Sequence, residues 1–83
     1  MPKHQYVLFG TAGCHLCEDA SQLLNDAGIA FSHCDIIDDP GWLQTYAVRI
    51  PVLWHGPSRR ELNWPFDAEM LSGFLDSNAQ EQL

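Results

Sequence analysis

Two cysteines three residues apart, Cys14 and Cys17, stand between a short apolar run and a helical repeat. Ahead of them, Gln5 to Phe9 is rich in β-branched and aromatic residues and ends at Gly10, so it reads as a short buried strand. Behind them, Leu16, Ala20, Leu23, Leu24 and Ala27 fall at helical spacing, and Gly28 supplies a C-terminal stop. The small-residue loop Gly10-Thr11-Ala12-Gly13 joins the two. A cysteine at the start of a helix meets unpaired backbone N–H groups and the positive end of the dipole, so a thiolate at Cys14 is stabilised. Cys17 lies one turn on, on the same helix face, within reach of a small disulfide. This is the layout of a thiol–disulfide redox site.

The rest of the chain alternates in the same way. Ile29 to Asp35 reads as a second strand, with Ile29, Phe31 and His33 on one face. Asp38-Asp39-Pro40 carries an Asp cap followed by proline in the first turn, which predicts a short helix over 40–46 that packs Leu43 and Tyr46. Pro51 opens a strand within Arg49–Trp54, and proline is tolerated at a strand's first residue. His55-Gly56-Pro57-Ser58 reads as a turn, with Arg59 to Asn63 returning as the second strand of a hairpin. Asp67 caps a last helix that buries Leu71, Phe74, Leu75 and Asn78, and its polar tail from Ser77 to Leu83 is expected to fray. The order is β-α-β-α-β-β-α. It predicts an α/β fold with one parallel strand pair from the βαβ unit and antiparallel strands from the hairpin, hence a mixed four-stranded sheet flanked by helices.

Composition removes several functions. The chain has 83 residues, read as one domain spanning 1–83, and carries a net charge of −7 with only Lys3, Arg49, Arg59 and Arg60 positive. Nucleic-acid binding needs a basic face, and anionic lipid would repel this chain. No apolar run is long enough for a membrane helix, and Met1 to Gln5 lacks the apolar core of a signal peptide. The expectation is a cytoplasmic, monomeric protein without a disulfide framework, its odd cysteine count leaving at least one thiol unpaired.

Three stretches together resemble the thioredoxin superfamily, and within it the glutaredoxins. They are Tyr6-Val7-Leu8-Phe9-Gly10 running into Cys14-His15-Leu16-Cys17, the Arg49-Ile50-Pro51 segment, and the Asp67-capped helix after a hairpin. The Gly10-x-x-Gly13-Cys14-His15-Leu16-Cys17 opening, Arg49-Ile50-Pro51-Val52 and Trp64-Pro65-Phe66-Asp67 are similar to a group of small bacterial glutaredoxin-like proteins of unknown function. The resemblance implies a glutaredoxin-type fold, with Cys14 as nucleophile, Cys17 as resolving thiol and Pro51 in a cis peptide facing them. It further implies that Ile50, Pro51, Arg49 and Asp67 contact a peptide or glutathione. No prosthetic group is implied. Glutathione would serve only as co-substrate, and the partners would be a protein or small-molecule disulfide and a reductase. The chain departs from glutaredoxins at two places. Thr11 replaces the usual basic residue three before the nucleophile, and Asn63-Trp64-Pro65-Phe66 replaces a Gly-Gly pair.

Other readings of the same residues compete. Cys14 and Cys17 are half of a zinc site, which His15, His33 and Cys34 would complete, although no second Cys-x-x-Cys or spaced histidine pair is present. Haem attachment requires histidine directly after the second cysteine, where Glu18 stands. A non-catalytic docking domain on the same fold is a third reading. His15, if protonated, would favour the Cys14 thiolate by charge. Cys34 reads as a buried or half-buried residue at the end of the second strand, with a third redox thiol or an intermolecular disulfide as the alternative. Trp42, Trp54, Trp64 and Phe66 read as core and lid residues, or alternatively as a patch for a partner.

Overall fold

The computed structural model describes residues 5–81. Its elements are β1 (Tyr6–Gly10), α1 (His15–Asp26), β2 (Phe31–Asp35), a 3₁₀ turn (Ile36–Asp38), α2 (Pro40–Tyr46), β3 (Val52–His55), β4 (Arg60–Asn63) and α3 (Ala68–Glu81). The strands form one sheet in the order β2-β1-β3-β4. β1 and β2 run parallel, and the β1–β3 and β3–β4 pairs are antiparallel. The expected order of elements and the mixed four-stranded sheet are both present.

Alternation along the strands divides the interior into two layers. Leu8 and its cross-strand partner Leu53 face α1 and α3, where they pack with Ala20, Leu24, Phe66 and Leu71. Val7, Phe9 and Val52 face the other way and pack with Ile36 and Tyr46 under α2. Burying a leucine such as Leu8 or Leu53 contributes on the order of 2 kcal/mol. Two aspartates fix helix starts. Asp39 accepts hydrogen bonds from the N–H groups of Gly41 and Trp42 at 2.7 and 3.3 Å, and Asp67 accepts one from Met70 at 2.8 Å. At the end of α1, Gly28 takes a φ of 73° and its N–H donates to the Asn25 carbonyl.

Several expectations need correcting. Leu16 is 47% exposed, and the buried position in that turn belongs to Cys17. Leu43 is likewise exposed, and Trp42 packs against the Val7–Phe9 layer in its place. His55 is a fully buried strand residue, not part of the turn. Burial is tolerated because its Nδ1 lies 2.7 Å from the Ser58 hydroxyl, which donates to Asn78, whose amide donates to the Tyr6 hydroxyl. The tail expected to fray is helical to Glu81. Residues 82–83, and the N-terminal stretch 1–4 read for a signal peptide, lie outside the described residues.

Candidate functional site

The loop after β1 is shaped by two glycines. Gly13 has a φ of 78°, a left-handed value that glycine adopts without penalty, and it turns the chain into α1. Gly10 is required for space. A Cβ there would sit 2.9 Å from Cys17 Sγ, closer than atoms of that kind approach one another. Cys17 therefore rests against bare backbone of β1, and is 8% exposed.

Cys14 is the N-cap of α1. Its sulfur accepts a hydrogen bond from the Cys17 N–H at 3.1 Å, and its carbonyl accepts one from Glu18 N–H. Cys14 and Cys17 are joined as a disulfide, with their Cα atoms 5.2 Å apart. A sulfur in this position meets an unpaired amide of the first turn and the positive end of a twelve-residue helix. Both favour the thiolate over the thiol. Cys14 is half-buried while Cys17 is buried, so an incoming molecule meets Cys14 first.

A cleft of about 320 Å³ opens beside this pair. Its floor is Leu8 and Gly10, and its walls include Thr11, Glu18, Ser21 and Asp35. Register explains the grouping: β2 pairs with β1 so that Asp35 stands opposite Gly10, beneath the cysteine loop. Glu18 is well exposed, with its carboxylate 3.8 Å from His15 Nδ1. Asp35 accepts a hydrogen bond from the Ile37 N–H at 3.1 Å. Glu18, Ser21 and Asp35 were not singled out by the sequence. Helical spacing puts Glu18 and Ser21 on the turns of α1 that follow Cys14, and the parallel register of β1 and β2 brings Asp35 to them; the apolar pattern marks none of the three.

On the other side of the cysteines, Pro51 is buried and its peptide bond with Ile50 is cis. Val52 pairs with Phe9, which sets Pro51 at the Gly10 end of β1, the end that carries Cys14. Ile50 packs against the Val7–Phe9 layer. A second cis bond, Trp64–Pro65, follows β4. Trp64 and Phe66 meet edge to face with centroids 5.0 Å apart, and Trp64 N–H donates to the Pro51 carbonyl.

Arg49 is engaged within the chain. Its guanidinium donates to Glu61 at 2.6 Å and to Asn63 at 2.9 Å, and lies 5.3 Å from the centroid of the Tyr46 ring. The Tyr46 hydroxyl donates to the other Glu61 oxygen at 2.7 Å. Burial, and then the neighbouring Glu61 carboxylate, push Tyr46 up to about 12. For Glu61, burial alone would raise the carboxyl. The hydrogen bonds from Arg49 and Tyr46, with the Arg49 charge, outweigh it and hold Glu61 below the usual carboxylate range. Asp67 is the cap of α3.

Cys34 borders the cleft, yet it packs with the Val7–Phe9 layer on the opposite face of the sheet from Cys17. Burial, and then Asp38, push its thiol above the ordinary range, which lowers its reactivity. Among the described residues, no three of His, Cys, Asp and Glu stand together as a metal centre needs. No helix among the described residues is long and apolar enough to cross a membrane.

Comparison with known proteins agrees with this geometry. The crystal structure of protein XcR50 from X. campestris is similar at a TM-score of 0.80 and 41% identity, over 87% of this chain and 96% of that one. The solution structure of XcR50 gives 0.79 and 40%, over 89% and 95%. Protein Ne2328 from Nitrosomonas europaea, at 24% identity, shares the fold, with a TM-score of 0.73 over 84% of this chain and 88% of that one. No curated protein matches. The fold is thioredoxin-like, and the family model of the glutaredoxin-like domain (DUF836) matches residues 5–76, so the chain belongs to that family.

Proposed function

We propose that this protein is a dithiol–disulfide oxidoreductase acting through Cys14 and Cys17. One observation carries the reading: a half-exposed cysteine caps α1, accepts the Cys17 amide, and is paired with a buried cysteine one turn along. In the reduced protein the Cys14 thiolate attacks one sulfur of a substrate disulfide. A mixed disulfide forms, and the other substrate sulfur leaves as a thiolate. Cys17 then gives up its proton and attacks Cys14 Sγ. The second substrate thiolate leaves, and the Cys14–Cys17 disulfide is formed. Two electrons have passed from protein to substrate. An external thiol, glutathione or a reductase, returns the protein to the dithiol. Ile50 and Pro51 would supply the backbone that meets an extended substrate, a reading supported by the register that sets Pro51 at the Gly10 end of β1. Arg49 and Asp67 would meet glutathione while already engaged, Arg49 with Glu61 and Asn63 and Asp67 with the Met70 N–H. The reading carries with it a cytoplasmic setting, where such a pair is kept mostly reduced.

The test is a redox titration of metal-free protein, with alkylated cysteines mapped by mass spectrometry. Cys14 and Cys17 should interconvert as one two-electron couple, roughly within −200 to −270 mV. Cys14→Ser should abolish exchange, and Cys17→Ser should accumulate a mixed disulfide. Exchange undiminished by Cys14→Ser, or oxidation that joins Cys34 to either partner, would overturn the reading.

A further inference from the structure

The cleft beside the cysteines is not where an extended peptide would lie along Pro51. It opens towards β2 and α1, away from β3. Its volume, about 320 Å³, is at the small end of the range for small-molecule sites. Its chemistry is one-sided. Glu18 and Asp35 each present a carboxylate and Thr11 and Ser21 each a hydroxyl; His33 is the one imidazole among the lining residues, His15 stands 3.8 Å from Glu18, and no lysine or arginine lines the cleft. Both reactive sulfurs border it.

The remaining charge near the site points the same way. Arg49 is the cation closest in sequence to Pro51, and Glu61 and Asn63 already hold it. Thr11, at the start of the cysteine loop, brings no positive charge. With the imidazoles of His15 and His33 neutral, an anionic disulfide entering here would face carboxylates with no lysine or arginine among the cleft residues to offset them. A cationic one would be drawn in.

From this we infer that the cleft binds small cationic disulfides, those carrying an ammonium group two or three bonds from sulfur, and presents them to Cys14. The inference rests on the redox reading above and names its substrate class. The ammonium lies between Glu18 and Asp35, and the apolar stem lies over Leu8 and Gly10. The Cys14 thiolate attacks the near sulfur and the far aminothiol leaves as its thiolate. Cys17 then displaces the second aminothiol, so that one disulfide is reduced to two thiols while the protein dithiol becomes a disulfide.

The experiment follows oxidation of the reduced protein by tryptophan fluorescence at low salt and about pH 8, above the ordinary histidine range. Three probes are used: cystamine, the neutral bis(2-hydroxyethyl) disulfide, and the anionic dithiodiglycolate. Each rate is divided by that probe's rate with a small free thiol, which removes intrinsic reactivity. Cystamine should exceed the neutral probe by about tenfold, the effect of two carboxylates some 6 Å away in a watery site, and the advantage should shrink in 0.5 M salt, where the Debye length is only about 4 Å. The ratio within one protein is insensitive to changes in folding or thiolate content. In Glu18→Gln/Asp35→Asn it should fall to about twofold, the asparagine still able to cap the Ile37 N–H. Asp26→Asn/Asp76→Asn removes the same charge from sites outside the cleft and should keep the ratio near tenfold.

Equal normalised rates for cystamine and the neutral probe would overturn the inference, and so would an equal fall in both double variants, since the preference would then belong to the overall charge of −7. If cystamine leads and only the cleft variant loses the lead, the inference stands. Failure of all three probes to form the Cys14–Cys17 disulfide is a separate result, which removes the redox reading and this inference with it.

Discussion

The two sides of the cysteine pair are built from the same kinds of side chain and use them in opposite ways. On the β4 side, a carboxylate, a phenol, a guanidinium and an amide are closed on one another. Glu61 takes Tyr46 on one oxygen and Arg49 on the other, and Asn63 takes the second Arg49 bond. On the β2 side, carboxylates and hydroxyls line a cleft. The first arrangement holds together two stretches of chain, the end of α2 and strand β4, that share no covalent neighbourhood. The second leaves polar groups lining the cleft that the two sulfurs border. Charge that is satisfied internally contributes to stability, and charge left at the rim of a cavity contributes to selection of what enters it.

The comparison can be broken by substitution. The largest effect is expected from Gly10→Val, which drives carbon into the space of Cys17 Sγ. It should cost about 2–3 kcal/mol in urea denaturation and slow disulfide formation between the cysteines. Arg49→Met comes next. It leaves the half-buried Glu61 carboxylate without its cation and should cost about 1–2 kcal/mol. Glu61→Gln should cost about 1 kcal/mol at neutral pH and less in acid. The sign follows from the lowered carboxyl. The unfolded chain takes up a proton at Glu61 more readily than the folded one. The stabilisation is therefore complete above the ordinary carboxylate range, and disappears as the pH falls through it to the lowered folded value. Acid titration of the two proteins should converge there. Smallest is Glu18→Gln, expected to stay within about 0.5 kcal/mol of the parent in stability. A stability loss for Glu18→Gln as large as that of Arg49→Met would erase the distinction between the two sides.

Much of this fold was legible in the sequence, for local reasons. A cap such as Asp39-Pro40 or Asp67 acts through its own neighbours, and both aspartates bond as expected. The same holds for the Cys14 start of α1 and the Gly28 stop. What could not be read depended on register or on distant partners. Leu16 falls on an apolar helical repeat, but it sits in the first turn at the open end of the sheet, where nothing covers it. Leu43 and Trp42 exchange roles because Phe9 and its layer lie beneath the tryptophan, 5.5 Å from ring centre to ring centre. His55 stood before Gly-Pro and so read as turn, whereas its burial depends on Ser58, Asn78 and Tyr6. The Glu61 cluster joins residues 12 and 15 positions apart, and no periodicity reports that. Pro51 in a cis bond followed from family resemblance, whereas the chain around Pro65 carries no local mark of its cis bond.

The chain of contacts His55–Ser58–Asn78–Tyr6 also bears on how the molecule comes apart. Asn78 and Tyr6 are 72 positions apart, and the bond between them ties α3 to the first strand at the end of the sheet remote from the cysteines. If α3 peels away, Tyr6 loses that partner, and Asn78 and Ser58 are parted, so the helix cannot open as an independent unit at little cost. Amide exchange should therefore rank the molecule from one end to the other, fast in the loop over 11–14 and slow in β1 and β3. The end that carries the cysteines can breathe while the seam at the far end stays closed.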